Sequence, residues 1–333
     1  MNIMQAANQT PSVTFEEILL ATDFSYASKA AFETALDLCR TYSANLFILH
    51  IFEYASEISP QVPEVPAEVN NQYQDAKQSL DCLLQSARDR DVPCDGSIVG
   101  GQPPQSILET IDALGIKLVV LGTNANRGLE RLIFGSTAEM VLRKAPCPVV
   151  VVGPRVRNRD KVTPKGPVVF ATDFHSSTID AVRFASSVCR VTGSPLHCLT
   201  VMPMTVEGGL RSKLVPEVLN QALHHVALGS GTEIPSPTCT TIFGSDVPDS
   251  VTNYAKRENA SLLVLGVHSA PAITSHGRWN TTCRLIAESP CPVLTVNTAA
   301  QKHARTLTTD GAGLEALNHS LQTSWLRRSA RVA

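Results

Sequence analysis

The chain has 333 residues, of which 43% are hydrophobic and 17% charged, and a formal net charge of -2. That length accommodates two domains of about 150 residues, each with a core of its own. The near-neutral balance excludes a partner recruited by charge alone, such as nucleic acid or an anionic lipid surface.

Residues 1–14 are polar, lack a basic segment before any apolar run, and are expected to be disordered. No stretch approaches the roughly eighteen apolar residues of a membrane span, so the cytoplasm is the expected location. Ile18 to Ala21, Leu46 to Ile51, Leu118 to Leu121 and Val149 to Val152 are short, unalternating apolar runs. Such runs suit strands covered on both faces in a parallel sheet. Between the first two, Ala27, Ala31, Ala35 and Leu38 fall at helical spacing, with Ser25 or Asp23 placed to cap. Glu53 to Asn71, carrying three prolines, reads as a long solvated connection rather than a lid. Helices are then predicted from about Gln72 to Arg90 and from Pro104 to Ala113, where proline in the first turn costs no hydrogen bond.

After a polar linker the series repeats. Ala21-Thr22-Asp23-Phe24 returns as Ala171-Thr172-Asp173-Phe174, and Cys39-Arg40 as Cys189-Arg190. Leu118 to Gly122 returns as Leu262 to Gly266, and Pro146-Cys147-Pro148-Val149 as Pro290-Cys291-Pro292-Val293. Matches that keep one order at nearly one offset mean two tandem domains. We place them at 15–153 and 166–298, with a linker at 154–165. In the second copy Ala181, Phe184, Ala185 and Val188 repeat the first helix, and Pro248 to Lys256 repeats the third. The tail, 299–333, carries Leu314, Leu317, Leu321 and Trp325 on one helical stripe, which suits a short helix packed on its own domain.

Alternating strands and helices with right-handed crossovers predict an α/β, Rossmann-like fold: two doubly wound open parallel sheets of five strands each. Ligands of such sheets bind beyond the carboxyl ends of the strands, where Asp23, Ile51 and Gly122 converge. Gly122-Thr123-Asn124-Ala125 is followed, nine residues later, by Gly135-Ser136-Thr137 at a helix start, with Ser136 and Glu139 spaced as a capping box. Free backbone amides and the positive end of the helix dipole make that start a candidate phosphate cradle. Asp23 is placed to bind ribose or magnesium, or to cap a helix. The nine cysteines and nine histidines show no metal-ligand spacing, so no metal site is expected and reduced, buried thiols are. His50, inside an apolar strand, reads as a core histidine rather than a general base.

These segments resemble the universal stress protein family: the opening ILLATDFS, the strand containing Leu49-His50-Ile51, the turn Gly101-Gln102-Pro103 and the closing APCPVVVV all fit. The resemblance implies ATP held by a glycine signature. Asp23 would meet the ribose, Ala21 and Ile51 would flank the adenine, Gly122, Gly135, Ser136 and Thr137 would hold the phosphates, and Thr22 and Ala125 would complete the nucleotide site. Ala125 replaces the signature's second glycine. In the second copy Ser269 does so, and Trp279-Asn280 replace Gly135-Ser136, so no triphosphate is expected there and Asp173 is expected to be structural. The resemblance also implies that Val149 to Val152 and Leu294 to Val296 pair within one chain as an internal pseudo-dimer, with a homodimer also open. The function expected is a stress-responsive regulator that binds an adenine nucleotide and an unknown protein partner, at most a weak ATPase. The alternative is a scaffold without nucleotide.

Overall fold

The computed structural model describes residues 14–53, 67–123, 135–156, 166–174, 181–202, 217–218, 220–221, 237–267 and 276–297. The first half runs β1 (Glu17–Thr22), α1 (Tyr26–Tyr42), β2 (Asn45–Phe52), α2 (Ala67–Arg88), β3 (Cys94–Gly100), α3 (Pro103–Leu114), β4 (Leu118–Gly122), α4 (Ser136–Lys144) and β5 (Val149–Val152). The second half has β6 (Val168–Ala171), α5 (Ala181–Thr192), β7 (Leu196–Met202), β8 (Thr238–Phe243), α6 (Val247–Arg257), β9 (Leu262–Val267), α7 (His276–Glu288) and β10 (Val293–Asn297). The two five-stranded sheets are not separate. They form one sheet in the order β3-β2-β1-β4-β5-β10-β9-β6-β7-β8, parallel throughout except where β5 meets β10.

Both faces of this sheet are covered, which explains why the inner strands read as continuous apolar runs. Ile18, Leu20, Ile48 and Val120 pack with Phe32, Leu36 and Leu84 under α1 and α2, and Phe170 lies in the same layer beneath α5. Leu19, Ala21, Leu49, Val119 and Leu121 point the other way, onto Ile107 of α3 and Val141 and Leu142 of α4. In that second layer α6 and α7 contribute Val251, Tyr254 and Ile286.

The halves are joined by more than the β5·β10 ladder. Thr295 Oγ1 donates to Val149 O at 3.0 Å, and the Asn297 amide donates to Arg143 O at 2.8 Å at the carboxyl end of α4. On the opposite face Phe15 packs edge-on against Tyr42, with centroids 4.9 Å apart, and stacks on Phe184 of α5 at 6.5 Å.

Two sequence expectations are corrected. Helix α2 starts at Ala67, five residues before Gln72, so the end of the supposed Glu53 to Asn71 connection is helical. Helix α4 begins at Ser136 with Gly135 as its N-cap, so Ser136 and Glu139 do not form a capping box. Glu139 instead accepts from Arg143 Nε at 3.0 Å. The polar N-terminus, the linker residues from Arg157 to Lys165 and the tail in which a short helix is expected lie outside the described residues.

Candidate functional site at the carboxyl edge of the first half

The turn after β1 is built by its own side chains. Thr22 Oγ1 accepts from Phe24 N at 3.0 Å while Phe24 takes a left-handed φ of 58°, which reverses the chain within one residue. Asp23 Oδ1 then accepts from Ser25 N at 3.0 Å and from the Ser28 hydroxyl, and Ser25 is the N-cap of α1. Asp23 therefore ties β1 to the first turn of α1. Burial pushes its carboxyl up, but hydrogen bonds from Ser25, Ser28 and the local backbone outweigh that and hold it below the ordinary carboxylate value. Oδ2 takes no hydrogen bond among the described residues, and the residue as a whole is exposed.

His50 lies beside this turn in the β1·β2 register, opposite Thr22. Its Nδ1 is 2.9 Å from Thr22 O, and the Phe24 ring lies 4.5 Å from the imidazole. A carbonyl only accepts, so Nδ1 carries the proton and its role is to support the turn.

Register brings the remaining candidates to one edge. Ala21 pairs with Leu121, which sets Thr22 beside Gly122, and Ile51 follows His50 on the other side of β1. Ala21 and Ile51 are both buried and belong to the layer that holds α4. That helix returns antiparallel to the strands, so Gly135, Ser136 and Thr137 sit at the same carboxyl edge as Asp23. Its first internal bond runs from Glu139 N to Gly135 O at 3.0 Å, which leaves the amides of Ser136, Thr137 and Ala138 without an intrahelical acceptor. Among the described residues, a Cβ built on Gly135 would meet nothing within 4 Å.

Gly122 has a different reason to be glycine. A Cβ there would stand 2.6 Å from Ala27 O and 3.0 Å from Ser28 N, so the residue lets the first turn of α1 approach β4. This close packing is not visible in a linear signature, which groups Gly122 with Gly135. Ala125 lies outside the described residues, with the rest of 124–134.

The second half repeats the turn without the cradle. Phe174 has a φ of 60°, and its amide donates to Thr172 Oγ1 at 3.0 Å. Thr200 replaces His50, its hydroxyl donating to Thr172 O at 2.9 Å. However, α7 starts at His276, so Trp279 and Asn280, which align with Gly135 and Ser136, lie inside the helix. Amides at that register are committed to helical bonds rather than offered to a ligand. Ser269 and the Trp279 side chain lie outside the described residues.

Among the described residues no group of three or more His, Cys, Asp or Glu side chains could hold a metal ion. No described helix is long and apolar enough to cross a membrane.

The sequence profile of the Universal stress protein family matches residues 14–153 and again 166–297. A universal stress protein of Methanocaldococcus jannaschii is 28% identical over 144 residues, 41% of this chain and 82% of its own length. The solved universal stress protein of Archaeoglobus fulgidus superposes with a TM-score of 0.65 at 18% identity, covering 86% of this chain and 99% of that one. A putative universal stress protein from Pseudomonas aeruginosa gives a TM-score of 0.58 at 16% identity, covering 92% and 98%. The two structural likenesses concern the fold.

Proposed function

The chain belongs to the universal stress protein family, and we propose that its first half, 15–153, binds ATP or another adenine nucleotide as a regulatory ligand. The second half, 166–298, is then a partner domain without a triphosphate site. The observation that carries this reading is the amino end of α4, whose first amides have no acceptor within the helix, beside a Gly135 that is open among the described residues, at the same sheet edge as Asp23. An anion there meets hydrogen-bond donors and a favourable dipole together. Asp23 Oδ2 would accept from the ribose, Ala21 and Ile51 would floor the base, and Thr22, Gly122, Gly135, Ser136 and Thr137 would surround the phosphates. If the position of Ala125 needs a positive φ, its Cβ costs about 1 kcal/mol there, which weakens binding without abolishing it.

Turnover is not part of the reading. His50 serves here as the brace of the turn, its Nδ1 proton donated to Thr22 O. The test is an ATP titration followed by thermal unfolding, with Gly135→Trp as the control. A midpoint that rises in the unmodified protein and not in the variant supports the assignment, and no rise in either removes it.

A second reading, a tandem scaffold that binds no nucleotide, is favoured by α7, which removes the cradle from the second half. Mass spectrometry of the purified protein separates the two. An adenine nucleotide recovered at about one per chain excludes the scaffold.

A further inference from the structure

Cys198 in β7 and Cys239 in β8 stand directly opposite each other in the parallel register. Paired positions of parallel strands project to the same face, and both residues lie in the layer that holds α5. Neighbouring strands are about 4.8 Å apart. That is inside the roughly 4.4–6.8 Å window of Cα separations that a disulfide spans. At the same register of the first half Ile48 faces Gly96, so the architecture does not need sulfur here and the thiol pair is particular to the second half.

The two thiols are not equivalent. Cys198 is fully buried, whereas Cys239 is half-buried on the outermost strand of the sheet. The hydrogen bond between them, followed by burial, pushes the Cys198 thiol up, and the same bond holds Cys239 down. A half-buried sulfur on the edge strand beside a fully buried partner is the arrangement of an attacking and a resolving thiol. Four of the other thiols are suppressed: burial pushes Cys39, Cys147, Cys189 and Cys283 up to about 12.

We propose that Cys198 and Cys239 form a peroxide-oxidisable dithiol, which closes to a disulfide across β7 and β8 and makes the second half a redox-responsive site. The Cys239 thiolate attacks a hydroperoxide, ROOH; the O–O bond breaks, the sulfur becomes a sulfenic acid, and the alkoxide leaves as ROH after taking a proton. The Cys198 sulfur then attacks the Cys239 sulfur, the S–O bond breaks, and the hydroxide leaves as water with the Cys198 proton. Two electrons pass from the two sulfurs to the peroxide. The bond closes the stretch from 198 to 239 into a ring and fastens the edge strand covalently to its neighbour.

The test uses the full chain with Cys82→Ser, because Cys82 is the exposed competitor. After treatment with a few equivalents of hydrogen peroxide, the chain should lose the mass of two hydrogens. Digestion without reductant should yield one linked peptide containing Cys198 and Cys239, and dithiothreitol should restore both thiols. Adding Cys239→Ser should abolish the mass loss, and Cys198→Ala should leave Cys239 trapped as a sulfenic acid that dimedone labels. If Cys198 and Cys239 both alkylate fully after peroxide treatment and denaturation, or if the linked peptide joins other cysteines, the proposal is overturned.

Discussion

Replacing each of two glycines by alanine separates the fold from the ligand. In Gly122→Ala the new Cβ stands 2.6 Å from Ala27 O and 2.7 Å from Ala27 C, both backbone atoms that cannot rotate away. Ordinary contact begins at 3.4 Å, so α1 must retreat by roughly 0.8 Å, a shift of the kind that costs about 1–3 kcal/mol in a packed interior. At roughly 2–4 °C per kcal/mol, the unfolding midpoint should fall by about 2–12 °C. In Gly135→Ala the Cβ meets nothing and the backbone, at φ -57° and ψ 134°, already suits alanine. Alanine is the poorer N-cap but the stiffer unfolded chain, so the two effects nearly cancel, within about 0.5 kcal/mol. The ligand response should invert this order. Saturation at about 100 times Kd raises stability by about 2.7 kcal/mol, and a tenfold weaker site loses about 1.3 kcal/mol of that. Differential scanning fluorimetry with and without ATP reads both numbers. Gly135→Ala should keep its unliganded midpoint and lose part of its ATP shift, whereas Gly122→Ala should lose its unliganded midpoint. Equal losses of unliganded stability in both variants would refute the distinction.

The joint between the halves predicts that Asn297→Ala costs about 1–3 kcal/mol, because the Arg143 carbonyl loses a donor in a buried setting; chemical denaturation measures it. Tyr42→Phe should be neutral or stabilising by up to about 1 kcal/mol in the same assay, since the Tyr42 hydroxyl is buried with no hydrogen-bond partner among the described residues. Asp246 caps α6 by accepting from Asp249 N at 2.9 Å and meets Arg284 Nη1 at 2.7 Å. The Arg284 guanidinium, then the Asp249 amide, hold its carboxyl below the ordinary value. A depressed folded-state carboxylate contributes stability that is present above the unfolded pKa and is lost as pH falls through the folded one. The stability gap between the unmodified chain and Asp246→Ala should therefore be constant at neutral pH and shrink below about pH 4. A gap that widens on acidification would contradict the assignment.

The inner strands were legible because they are covered on both faces. The run Val149 to Val152 coincides with β5, and Leu118 to Leu121 falls one residue short of β4. The outermost strands were not: β3 reads Cys-Asp-Gly-Ser-Ile-Val-Gly and β8 reads Thr-Cys-Thr-Thr-Ile-Phe, and both are only partly buried. An edge strand lacks one neighbour and much of its cover, so the apolar signal fades where the sheet ends. At the candidate site the sequence located Asp23 and the start of α4, but it could not separate the two glycines. One is glycine because a helix backbone touches it and the other faces open space, a difference that only the packing of α1 on β4 reveals. The capping box failed for a related reason. Ser136 and Glu139 have the right spacing, but the cap falls on Gly135, one residue earlier, which leaves Glu139 to pair with Arg143.

Duplication provides an internal control on which parts of the site belong to the fold. The Thr-Asp-Phe turn, with its left-handed phenylalanine and its threonine acceptor, is present in both halves. It persists in the second half although α7 starts a turn too early to offer amides there. The turn is therefore a strand-to-helix connection in its own right, which His50 in one half and Thr200 in the other brace by bonding the same carbonyl. Among the described residues, the features of the first half without such a twin are the amides from Ser136 to Ala138, which have no acceptor within their helix, and the open flank of Gly135, and ligand binding must be argued from those. The second half in turn holds the opposite end of the same helix, because the Asn297 amide bonds the last carbonyls of α4. A ligand that pulls on the amino end of α4 therefore acts on an element whose carboxyl end is fixed to the other domain.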